Sequence, residues 1–525
     1  MLRVLIADEL SPRAVEIFQS RGIEADVRTG LPPAEIEALI GGYDGLAIRS
    51  ATKVTAKLLA QAEKLKVIGR AGIGVDNVDV PAATQRGIVV MNTPHGNSVT
   101  TAEHAIALMF ALARQLPAAD QSTQAGKWEK SRFMGVELSG KTLGIIGCGN
   151  IGSIVADRAH GLKMKVLGFD PYLSEHRARD LNIEKVELGD LLARADFITL
   201  HTPLTDSTRH IINAAALAKT KPGVRIINCA RGELVVEEDL KAAIQSGHVA
   251  GAALDVFAVE PARSNALFGM EQVVATPHLG AATAEAQEKV ALQVAEQMAD
   301  FLLTGAVTNA LNMPAVSAEE APKLKPYLTL AQQLGSFAGQ LTHSGLKAVT
   351  IEYEGHAAEL NTRPLTAVAL AGLLTPLLDN VNMVNAPLIA RERNIEVSEV
   401  KHSRPGSFQT LIRLSVTTER QSRAVAGTLF GGGKPRLVEV KGIAIEAELS
   451  PHMLYITNRD KPGFIGRLGT LLGDEKINIA TFHLGRSAPG ADAICLIAVD
   501  HPVSEDLLKR IRAIPDVVQA VGLSF

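Results

Sequence analysis

A glycine-rich turn between two apolar strands constrains this chain more than any other feature. Leu143–Ile146 has the composition of a buried strand, and Gly147, Gly149 and Gly152 follow it in the spacing G-x-G-x-x-G. In such a turn the first glycine permits a sharp bend. The second lets the backbone approach a pyrophosphate, and the third lets the helix pack closely on the strand. The pattern predicts a parallel sheet flanked by helices, with a dinucleotide bound at the turn.

The residues around the turn favour NAD as that dinucleotide. Asn150 and Ile151 are predicted to begin the next helix, whose positive N-terminal end suits a pyrophosphate. A second apolar strand, Val166–Phe169, leads into Asp170, 18 positions after Gly152. A carboxylate at this position can bind the ribose hydroxyls of NAD and repel the additional phosphate of NADP. A strand–helix turn without a ligand is the alternative interpretation.

Length and composition exclude several classes of protein. The 525 residues are too many for one hydrophobic core and predict three or four domains. A net charge of −3 gives no charge pattern for nucleic acid or an anionic membrane. The three cysteines, Cys148, Cys229 and Cys495, are scattered, which predicts no disulfide framework and a reducing compartment. Because the chain starts directly with a strand and has no apolar run of membrane-spanning length, we expect a cytoplasmic location.

Hydrophobic periodicity divides the chain into two large lobes and two smaller modules. Residues 1–97 alternate short strands with helices, and residues 98–281 do the same around the glycine turn, which predicts two doubly wound, Rossmann-like parallel-sheet lobes. Residues 282–312 are expected to return to the first lobe. Residues 313–450 predict an α+β module, and residues 451–525 predict a ferredoxin-like βαββαβ module. The predicted fold class is therefore α/β, followed by two α+β modules.

Two local boundaries are also predicted. Thr100–Glu103 matches a capping box and predicts the start of a long apolar helix that leads into the second lobe. Residues 315–326, rich in alanine, proline and lysine, are expected to form a linker before the third module. The first lobe and the second are then expected to enclose a cleft.

Three ionisable residues follow predicted strands of the second lobe: Arg231, Glu260 and His278. Oxidising a secondary alcohol with NAD needs a base for the hydroxyl proton, and histidine titrates nearest neutrality. A carboxylate on the other ring nitrogen fixes its tautomer, and a guanidinium can bind a substrate carboxylate at two points. Each residue alone is commonly a loop or surface residue. Together they predict an acid/base histidine, an orienting glutamate and an anchoring arginine.

Six ordered motifs in residues 1–310 resemble those of the D-isomer-specific 2-hydroxyacid dehydrogenases: Gly69–Asn77, Asn92–Ser98, Gly147–Gly152, Asn228–Gly232, Asp255–Pro261 and Thr276–Gly280. The resemblance implies that Arg231, Glu260 and His278 are catalytic. It also implies NAD as cofactor, without a metal. The implied NAD contacts are Gly147, Gly149, Asn150, Ile151, Gly152, Asp170, Thr202, Cys229, Ala230, Arg231, Asp255, His278, Leu279, Gly280 and Ala281.

Three segments are similar to the phosphoglycerate-oxidising branch of that family, whose extended form carries an intervening domain and a C-terminal ACT domain: Arg49–Thr55, Gly69–Asn77 and Gly126–Gly135. The implied reaction is NAD-dependent oxidation of 3-phospho-D-glycerate to 3-phosphooxypyruvate, which opens L-serine biosynthesis. A homodimer or homotetramer is also implied, with Arg132 reaching a neighbouring subunit's site. The implied substrate-binding residues are Arg49, Ser50, Arg70, Asn97 and Arg132. Without the resemblance, Arg49 and Arg70 are interpreted as solvated strand-end charges.

The last module resembles an ACT domain. Asn458–Phe464 and Ile477–Ala480 match the loop and strand that bind an amino-acid effector in such domains. The resemblance implies L-serine as effector, bound by Asn458, Asp460 and Asn478. Dimerisation without regulation is the other interpretation.

Three other functions stay open at the level of sequence. One is a reductase for an unphosphorylated 2-oxo acid, including 2-oxoglutarate as a side substrate. Another is an NAD-sensing binding protein, like the transcriptional co-repressors built on this fold. The third is an amino-acid-binding regulatory protein that binds its ligand without turnover.

Overall fold

Residues 3–91 form a parallel sheet of five strands. The computed structural model describes residues 1–317, 319–431 and 433–525. The elements are β1 (Arg3–Ile6), α1 (Pro12–Ser20), β2 (Glu24–Val27), α2 (Pro33–Leu39), β3 (Gly45–Ile48), α3 (Ala56–Ala60), β4 (Val67–Arg70), α4 (Val80–Gln85) and β5 (Val89–Met91). The strands lie in the order β2-β1-β3-β4-β5, and each neighbouring pair is parallel. Because parallel neighbours need crossover connections, a helix lies between each strand and the next.

Residues 98–275 form a second, seven-stranded parallel sheet. Its elements are α5 (Ser98–Ala113), α6 (Leu116–Gln124), β6 (Thr142–Ile146), α7 (Asn150–Gly161), β7 (Lys165–Phe169), α8 (Glu175–Asp180), β8 (Glu184–Lys185), α9 (Leu188–Arg194), β9 (Phe197–Leu200), α10 (Ala214–Leu217), β10 (Val224–Asn228), α11 (Glu237–Gln245), β11 (Val249–Leu254) and β12 (Val273–Ala275). The order is β12-β11-β10-β9-β6-β7-β8. The order reverses between β6 and β9, and doubly wound sheets bind ligands at that reversal, beyond the carboxyl ends of the strands.

The long helix α12 (Ala284–Thr304) brings the chain back to the first sheet. It packs against α1 and β4. The approach is close, since a Cβ at Gly69 of β4 would lie 2.2 Å from Sδ of Met298. Val290 and Val294 are buried in the same core as the first strands. The core on this side of the first sheet is therefore built from two separated segments of the chain.

The third sheet is mixed. Its elements are α13 (Ala321–Gln340), β13 (Leu346–Gly355), α14 (His356–Glu359), α15 (Thr362–Leu374), α16 (Ala386–Glu392), β14 (Glu396–His402), β15 (Thr410–Thr418), β16 (Ser422–Phe430), β17 (Lys434–Val440) and β18 (Ile443–Ala447). The order is β14-β13-β15-β16-β17-β18, with β14 parallel to β13 and the other pairs antiparallel. α13 and α15 pack closely because α13 carries Gly335, where a Cβ would lie 2.2 Å from the carbonyl oxygen of Ala369.

The last sheet is antiparallel, and its chain order is βαββαβ. Its elements are β19 (His452–Arg459), α17 (Phe464–Asp474), β20 (Ile479–Arg486), β21 (Asp492–Val499), α18 (Glu505–Arg512) and β22 (Val517–Ser524). The strand order β20-β21-β19-β22 is the ferredoxin-like arrangement. The fold class predicted from the sequence, two Rossmann-like lobes followed by α+β modules, is confirmed.

Two predicted boundaries are wrong. The helix expected from Thr100 begins at Ser98, because the carbonyl of Asn97 already accepts the Thr101 N–H at 3.1 Å. The Thr100 hydroxyl instead lies 3.3 Å from that of Thr283. The expected linker at 315–326 is shorter, since α13 begins at Ala321 and contains Pro326. Pro322 lies in the first turn, where its missing N–H is tolerated, whereas Pro326 lies in the second turn and removes one helix hydrogen bond. Proline content alone therefore misplaced this boundary.

Two further sequence features, the apolar run near residue 365 and the three cysteines, lie at buried positions. The apolar run that begins at Leu365 lies in α15, where it packs against α13. None of the helices in the described part of the chain combines the length and apolarity needed to span a bilayer. Cys148, Cys229 and Cys495 are all buried and unpaired.

Candidate active site

The glycine-rich turn joins β6 to α7 at the reversal of the second sheet. Gly147 has a φ of 94°, and a Cβ there would lie 2.5 Å from a carbonyl oxygen just after β9. A Cβ at Gly152 would lie 2.0 Å from the Gly147 carbonyl oxygen. At Gly149, immediately before α7, no described residue other than its chain neighbours has an atom within 4 Å of that position. The turn therefore leaves the start of α7, at Asn150 and Ile151, open to a phosphate group.

Asp170 follows β7 and lies beside this turn. Oδ2 accepts the N–H of Cys148 at 2.9 Å, and Oδ1 accepts the N–H of Tyr172 at 2.8 Å. These bonds fix the carboxylate and leave lone pairs for hydroxyl donors. The residues present therefore fit the ribose of NAD.

The other residues predicted to contact NAD follow neighbouring strands of the same sheet. Because the strands are parallel, their carboxyl ends line one edge. One of these residues, Cys229, has a buried thiol whose pKa is raised by burial, so the sulfur stays neutral. The residues along this edge are Thr202 after β9, Cys229, Ala230 and Arg231 after β10, Asp255 after β11, and His278, Leu279, Gly280 and Ala281 after β12.

Asp255 is fully buried and holds the loop after β12. Its carboxylate accepts hydrogen bonds from the Thr276 hydroxyl at 2.6 Å and from the N–H groups of Leu279 and Gly280 at 2.7 and 2.8 Å. Nε2 of His104 lies 3.2 Å from it. Burial raises the pKa of Asp255, but the hydrogen bonds from His104 and Thr276 outweigh burial, and the pKa lies below its ordinary value. The carboxylate is an anchor for the backbone of this loop.

His278 and Glu260 form a hydrogen-bonded pair. Nδ1 of His278 lies 2.7 Å from Oε2 of Glu260, whose other oxygen accepts the N–H of Phe257 at 3.0 Å. The hydrogen bond raises the pKa of His278, although burial opposes it. Burial acts to raise the pKa of Glu260, but the hydrogen bonds from His278 and Phe257 lower it overall. Glu260 thus occupies one ring nitrogen, and Nε2 is left for a reactant.

Arg231 contacts the first lobe rather than this pair. Its Nε donates to Oδ2 of Asp76 at 2.9 Å, Nη2 lies 2.7 Å from the same oxygen, and Nη1 donates to the Ala230 carbonyl at 2.6 Å. Asp76 lies between β4 and α4, so this ion pair joins the two lobes across the cleft.

A cavity of about 700 Å³ lies between the lobes. Phe257 and Phe268, whose rings meet edge to face at 5.3 Å, form an apolar part of its wall. The cavity brings four of the five predicted substrate-binding residues to the histidine–glutamate pair. Arg49, Ser50, Arg70 and Asn97 line it from the first lobe, and Glu260 and His278 line it from the second.

Arg70 and Asn97 carry polar atoms that the described residues leave without a partner. Nη1 of Arg70 donates to the Ala71 carbonyl at 3.3 Å, whereas its buried Nε and the buried Oδ1 of Asn97 have no hydrogen-bond partner there. Burial, followed by repulsion from Arg231, lowers the pKa of Arg70 to about 10, so it stays charged at neutral pH. A buried cation with an unused donor suits an anionic ligand.

Arg132, the fifth predicted substrate residue, lies outside this cavity. Its guanidinium pairs with Glu129 at 3.0 Å and with Glu271, and it stacks over the ring of Phe133. Within one chain, the structure does not bring Arg132 to Arg49 and Arg70.

The predicted effector residues lie in the last sheet. A cavity of about 530 Å³ at the start of α17 is lined by Asn458 and Asp460. The Asp460 carboxylate accepts a hydrogen bond from Arg486 at 2.9 Å. Asn478 donates to Asp500 at 3.0 Å and is not among the lining residues. The structure therefore brings together two of the three predicted residues.

Several residues that shape the site had no role in the sequence interpretation. Asp8, which follows β1, accepts the Arg49 N–H and the Thr52 hydroxyl, both at 2.7 Å, and so fixes that segment. The rule that polar residues follow strand ends would have identified Asp8 and Asp76. His104 lies inside a helix and gave no sequence signal.

Three protein-family models match successive parts of the chain. The model for the NAD binding domain of D-isomer specific 2-hydroxyacid dehydrogenases matches residues 106–280. The D-3-phosphoglycerate dehydrogenase intervening domain matches residues 323–441, and the ACT domain matches residues 452–516. These matches confirm an NAD-binding oxidoreductase architecture.

The chain is similar over its whole length to curated proteins named D-3-phosphoglycerate dehydrogenase. It is 43% identical to the one from Synechocystis sp. over 522 residues, covering 99% of this chain and 94% of the relative. It is 42% identical to the one from Bacillus subtilis over 520 residues, covering 99% and 98%. The relative from Mycobacterium tuberculosis is 41% identical over 528 residues, covering 99% of each.

Solved structures match a shorter part of the chain. TT0316 protein from Thermus thermophilus is 34% identical with a TM-score of 0.55, covering 59% of this chain and 100% of that one. D-lactate dehydrogenase from Aquifex aeolicus, solved in complex with NAD and lactic acid, is 26% identical with a TM-score of 0.52, covering 59% and 100%. On the full-length identities and the three matched models, the chain belongs to the D-3-phosphoglycerate dehydrogenase family of NAD-dependent oxidoreductases.

Proposed function

We propose that this chain oxidises 3-phospho-D-glycerate to 3-phosphooxypyruvate with NAD, the reaction that opens L-serine biosynthesis. The observation that carries the proposal is the cleft cavity, where the His278–Glu260 pair faces Arg49 and Arg70. A substrate with a carboxylate at one end and a phosphate at the other needs cationic partners at two places. The curated relatives carry the name of this activity over their full length.

In this proposal His278 is the general base. Nε2 removes the proton of the C2 hydroxyl, while Glu260 on Nδ1 holds the productive tautomer and stabilises the imidazolium that forms. NAD, when bound, supplies the acceptor for the hydride that leaves C2. The alcohol carbon loses a hydride and its oxygen loses a proton, which makes the ketone.

The same proposal assigns the remaining residues to binding. Arg231 binds the substrate carboxylate, and Arg49, Ser50, Arg70 and Asn97 bind the phosphate. The buried unpartnered atoms of Arg70 and Asn97 support this assignment. The residues that would hold NAD are Gly147, Gly149, Asn150, Ile151, Gly152, Asp170, Thr202, Cys229, Ala230, Asp255, Leu279, Gly280 and Ala281.

The assembly we propose is a homodimer or homotetramer in which Arg132 serves the cleft of a second subunit. Trp128 and Met134, on either side of Arg132, are 87% and 77% exposed in the single chain. Large apolar side chains exposed together are typical of an interface. Sedimentation velocity of the purified chain tests this part.

L-serine is the effector we propose for the ACT domain. The cavity at the start of α17 offers helix N–H groups to a carboxylate and Asp460 to an ammonium group. Arg486 holds Asp460 in this structure, so the ammonium would displace Arg486. The Arg486–Asp460 hydrogen bond supports a regulatory role over dimerisation alone, because it is a contact that a bound ligand would break.

We further propose a cytoplasmic location, which the three buried, unpaired cysteines support. The proposed division of the chain is 1–97 with 282–312, 98–281, 313–450 and 451–525. The four separate sheets support this division.

NADH absorbance during oxidation of 3-phospho-D-glycerate tests the proposed reaction, with D-glycerate and D-lactate as matched unphosphorylated acids. Turnover confined to the phosphorylated acid is expected. Equal turnover of D-glycerate would instead indicate a general 2-hydroxyacid dehydrogenase, and NADH-driven reduction of 2-oxoglutarate measures the side activity. Bound NAD without turnover of any acid would indicate an NAD-sensing protein.

A further inference from the structure

Two groups of the chain itself hold the guanidinium of Arg231. Nε donates to Oδ2 of Asp76, Nη2 lies 2.7 Å from the same oxygen in the ion pair, and Nη1 donates to the Ala230 carbonyl. These contacts use the edge formed by Nε and Nη2 and one N–H of Nη1. The adjacent edge is formed by Nη1 and Nη2, and each of these two nitrogens keeps one further N–H. That remaining edge is the one that a carboxylate can take at two points.

The first lobe holds the backbone that directly follows Asp76. Nδ2 of the next residue, Asn77, donates to the carbonyls of Arg49 and Thr52, both at 2.7 Å. The position of the Asp76 carboxylate is therefore set by the same segment that carries Arg49.

The second lobe fixes the backbone of Arg231. Nδ2 of Asn228 donates to the Arg231 carbonyl at 2.8 Å, and Oδ1 of Asn228 accepts the Ala230 N–H at 3.0 Å. Each partner of the ion pair thus belongs to a rigid part of a different lobe.

The absence of a side chain at Gly74 leaves space for the guanidinium of Arg231. A Cβ at this position would lie 1.8 Å from Nη2 of Arg231 and 3.0 Å from a carboxylate oxygen of Asp76. Any side chain there would push Arg231 away from Asp76. Glycine at position 74 is therefore part of the arrangement.

Asp76 also lies near a second cation of the cleft. Arg231 lowers the pKa of Arg70 by repulsion, and Asp76 acts in the opposite direction. The carboxylate thus offsets part of the repulsion between the guanidinium groups of Arg70 and Arg231, both of which the proposed reaction uses.

We propose that Asp76 is a positioning residue: it presents the Nη1–Nη2 edge of Arg231 to the substrate carboxylate and joins the two lobes in the reactive arrangement. Asp76 does not contact the substrate and acts through Arg231. The inference rests on the proposed function, because that function assigns Arg231 to the carboxylate.

A double-mutant cycle tests the proposal. Asp76→Asn is expected to lower kcat/KM for 3-phospho-D-glycerate by about 10- to 100-fold, since a misplacement near 1 Å can cost that much, while NAD affinity stays the same. Arg231→Lys lacks the Nε–Nη2 edge. If Asp76 acts through Arg231, the double variant is no slower than Arg231→Lys alone. Multiplicative losses would overturn the proposal.

Two further variants separate positioning from folding. Gly74→Ala keeps both charges but displaces the guanidinium, so its loss of kcat/KM should match that of Asp76→Asn. Full activity in Gly74→Ala would count against the proposal, and this variant remains informative if Asp76→Asn folds poorly. Asp79→Ala, in the same loop, removes only a helix cap. It should lower Tm and give losses that multiply with Arg231→Lys.

The wild-type chain separates failure of this inference from failure of the proposed function. A wild type that turns over no hydroxy acid defeats the function. If the wild type is active and the losses of Asp76→Asn and Arg231→Lys multiply in the double variant, only the inference about Asp76 is rejected.

Discussion

Oε2 of Glu260 lies 2.7 Å from Nδ1 of His278, and this contact leaves Nε2 as the ring nitrogen for the proposed reaction. Glu260 follows β11 and His278 follows β12, so the pair depends on two neighbouring parallel strands ending at the same edge. The left-handed backbone at His278, with a φ of 56°, is held by the hydrogen bond from its N–H to the Asp255 carbonyl. The ring is therefore oriented by its own backbone as well as by Glu260.

Replacing His278 by alanine removes the proposed base. Turnover of 3-phospho-D-glycerate should fall by about 10²–10⁴, the usual contribution of general acid/base catalysis. NAD binding, measured by calorimetry, should change little. Unchanged turnover would show that another group takes the proton.

Glu260→Gln keeps a hydrogen-bond acceptor for Nδ1 but removes the charge. Because Glu260 raises the pKa of His278, the neutral base of the wild type forms only at higher pH. The rising limb of kcat/KM against pH for oxidation should therefore move to lower pH in Glu260→Gln, with a lower plateau. If the rising part of the kcat/KM profile stays at the same pH in Glu260→Gln, the group that titrates there is not His278.

Asp170→Ala removes the carboxylate that faces the proposed ribose site. The ratio of kcat/KM for NAD to that for NADP should fall, because the repulsion of the additional phosphate is lost. Asp157→Ala, an exposed carboxylate on the neighbouring helix α7, is the matched control and should keep the ratio. A ratio that persists in Asp170→Ala would exclude this residue as the discriminator.

Arg70→Met removes a buried cation with nearly the same chain length. KM for 3-phospho-D-glycerate should rise by about 10- to 100-fold, the loss expected for a hydrogen bond to a charged group. kcat/KM for D-glycerate should change much less, because that acid lacks the phosphate. Parallel losses for both acids would instead assign Arg70 to the carboxylate or to the fold.

Asp460→Ala should abolish any effect of L-serine on turnover, since it removes the partner proposed for the ammonium group. Asp474→Ala, an exposed carboxylate at the far end of α17, should keep the response. Calorimetric titration of L-serine into the wild type and both variants checks binding itself. Binding that survives in Asp460→Ala would move the effector elsewhere.

Local patterns predicted much of the fold. The strand before Gly147, the helix that begins at Asn150 and the order βαββαβ of the last module all follow from short-range periodicity and turn chemistry. The choice of Asn97 over Thr100 as helix cap could not be predicted in this way, because it depends on where the preceding turn places one carbonyl.

Candidate site residues could be predicted from strand ends, but the contacts between them could not. Strand ends indicated Arg231, Glu260 and His278, yet the partner of Arg231 is Asp76, which lies 155 positions away in the other lobe. Similarly, Asp460 was predicted to bind an effector, but its hydrogen bond from Arg486 was not predicted. Such pairings depend on how separate sheets meet, and periodicity in one segment carries no information about that.

The return of α12 to the first sheet has a consequence for synthesis on the ribosome. The strands of that sheet are translated first, but the apolar surface around Gly69 is covered only once Val294 and Met298 have been made. The second sheet is complete within 98–275 and can close its core earlier. We therefore expect the apolar surface of the nascent first sheet to stay exposed to solvent while the NAD-binding lobe folds. The first sheet is then the part of the chain that we expect to depend most on chaperones.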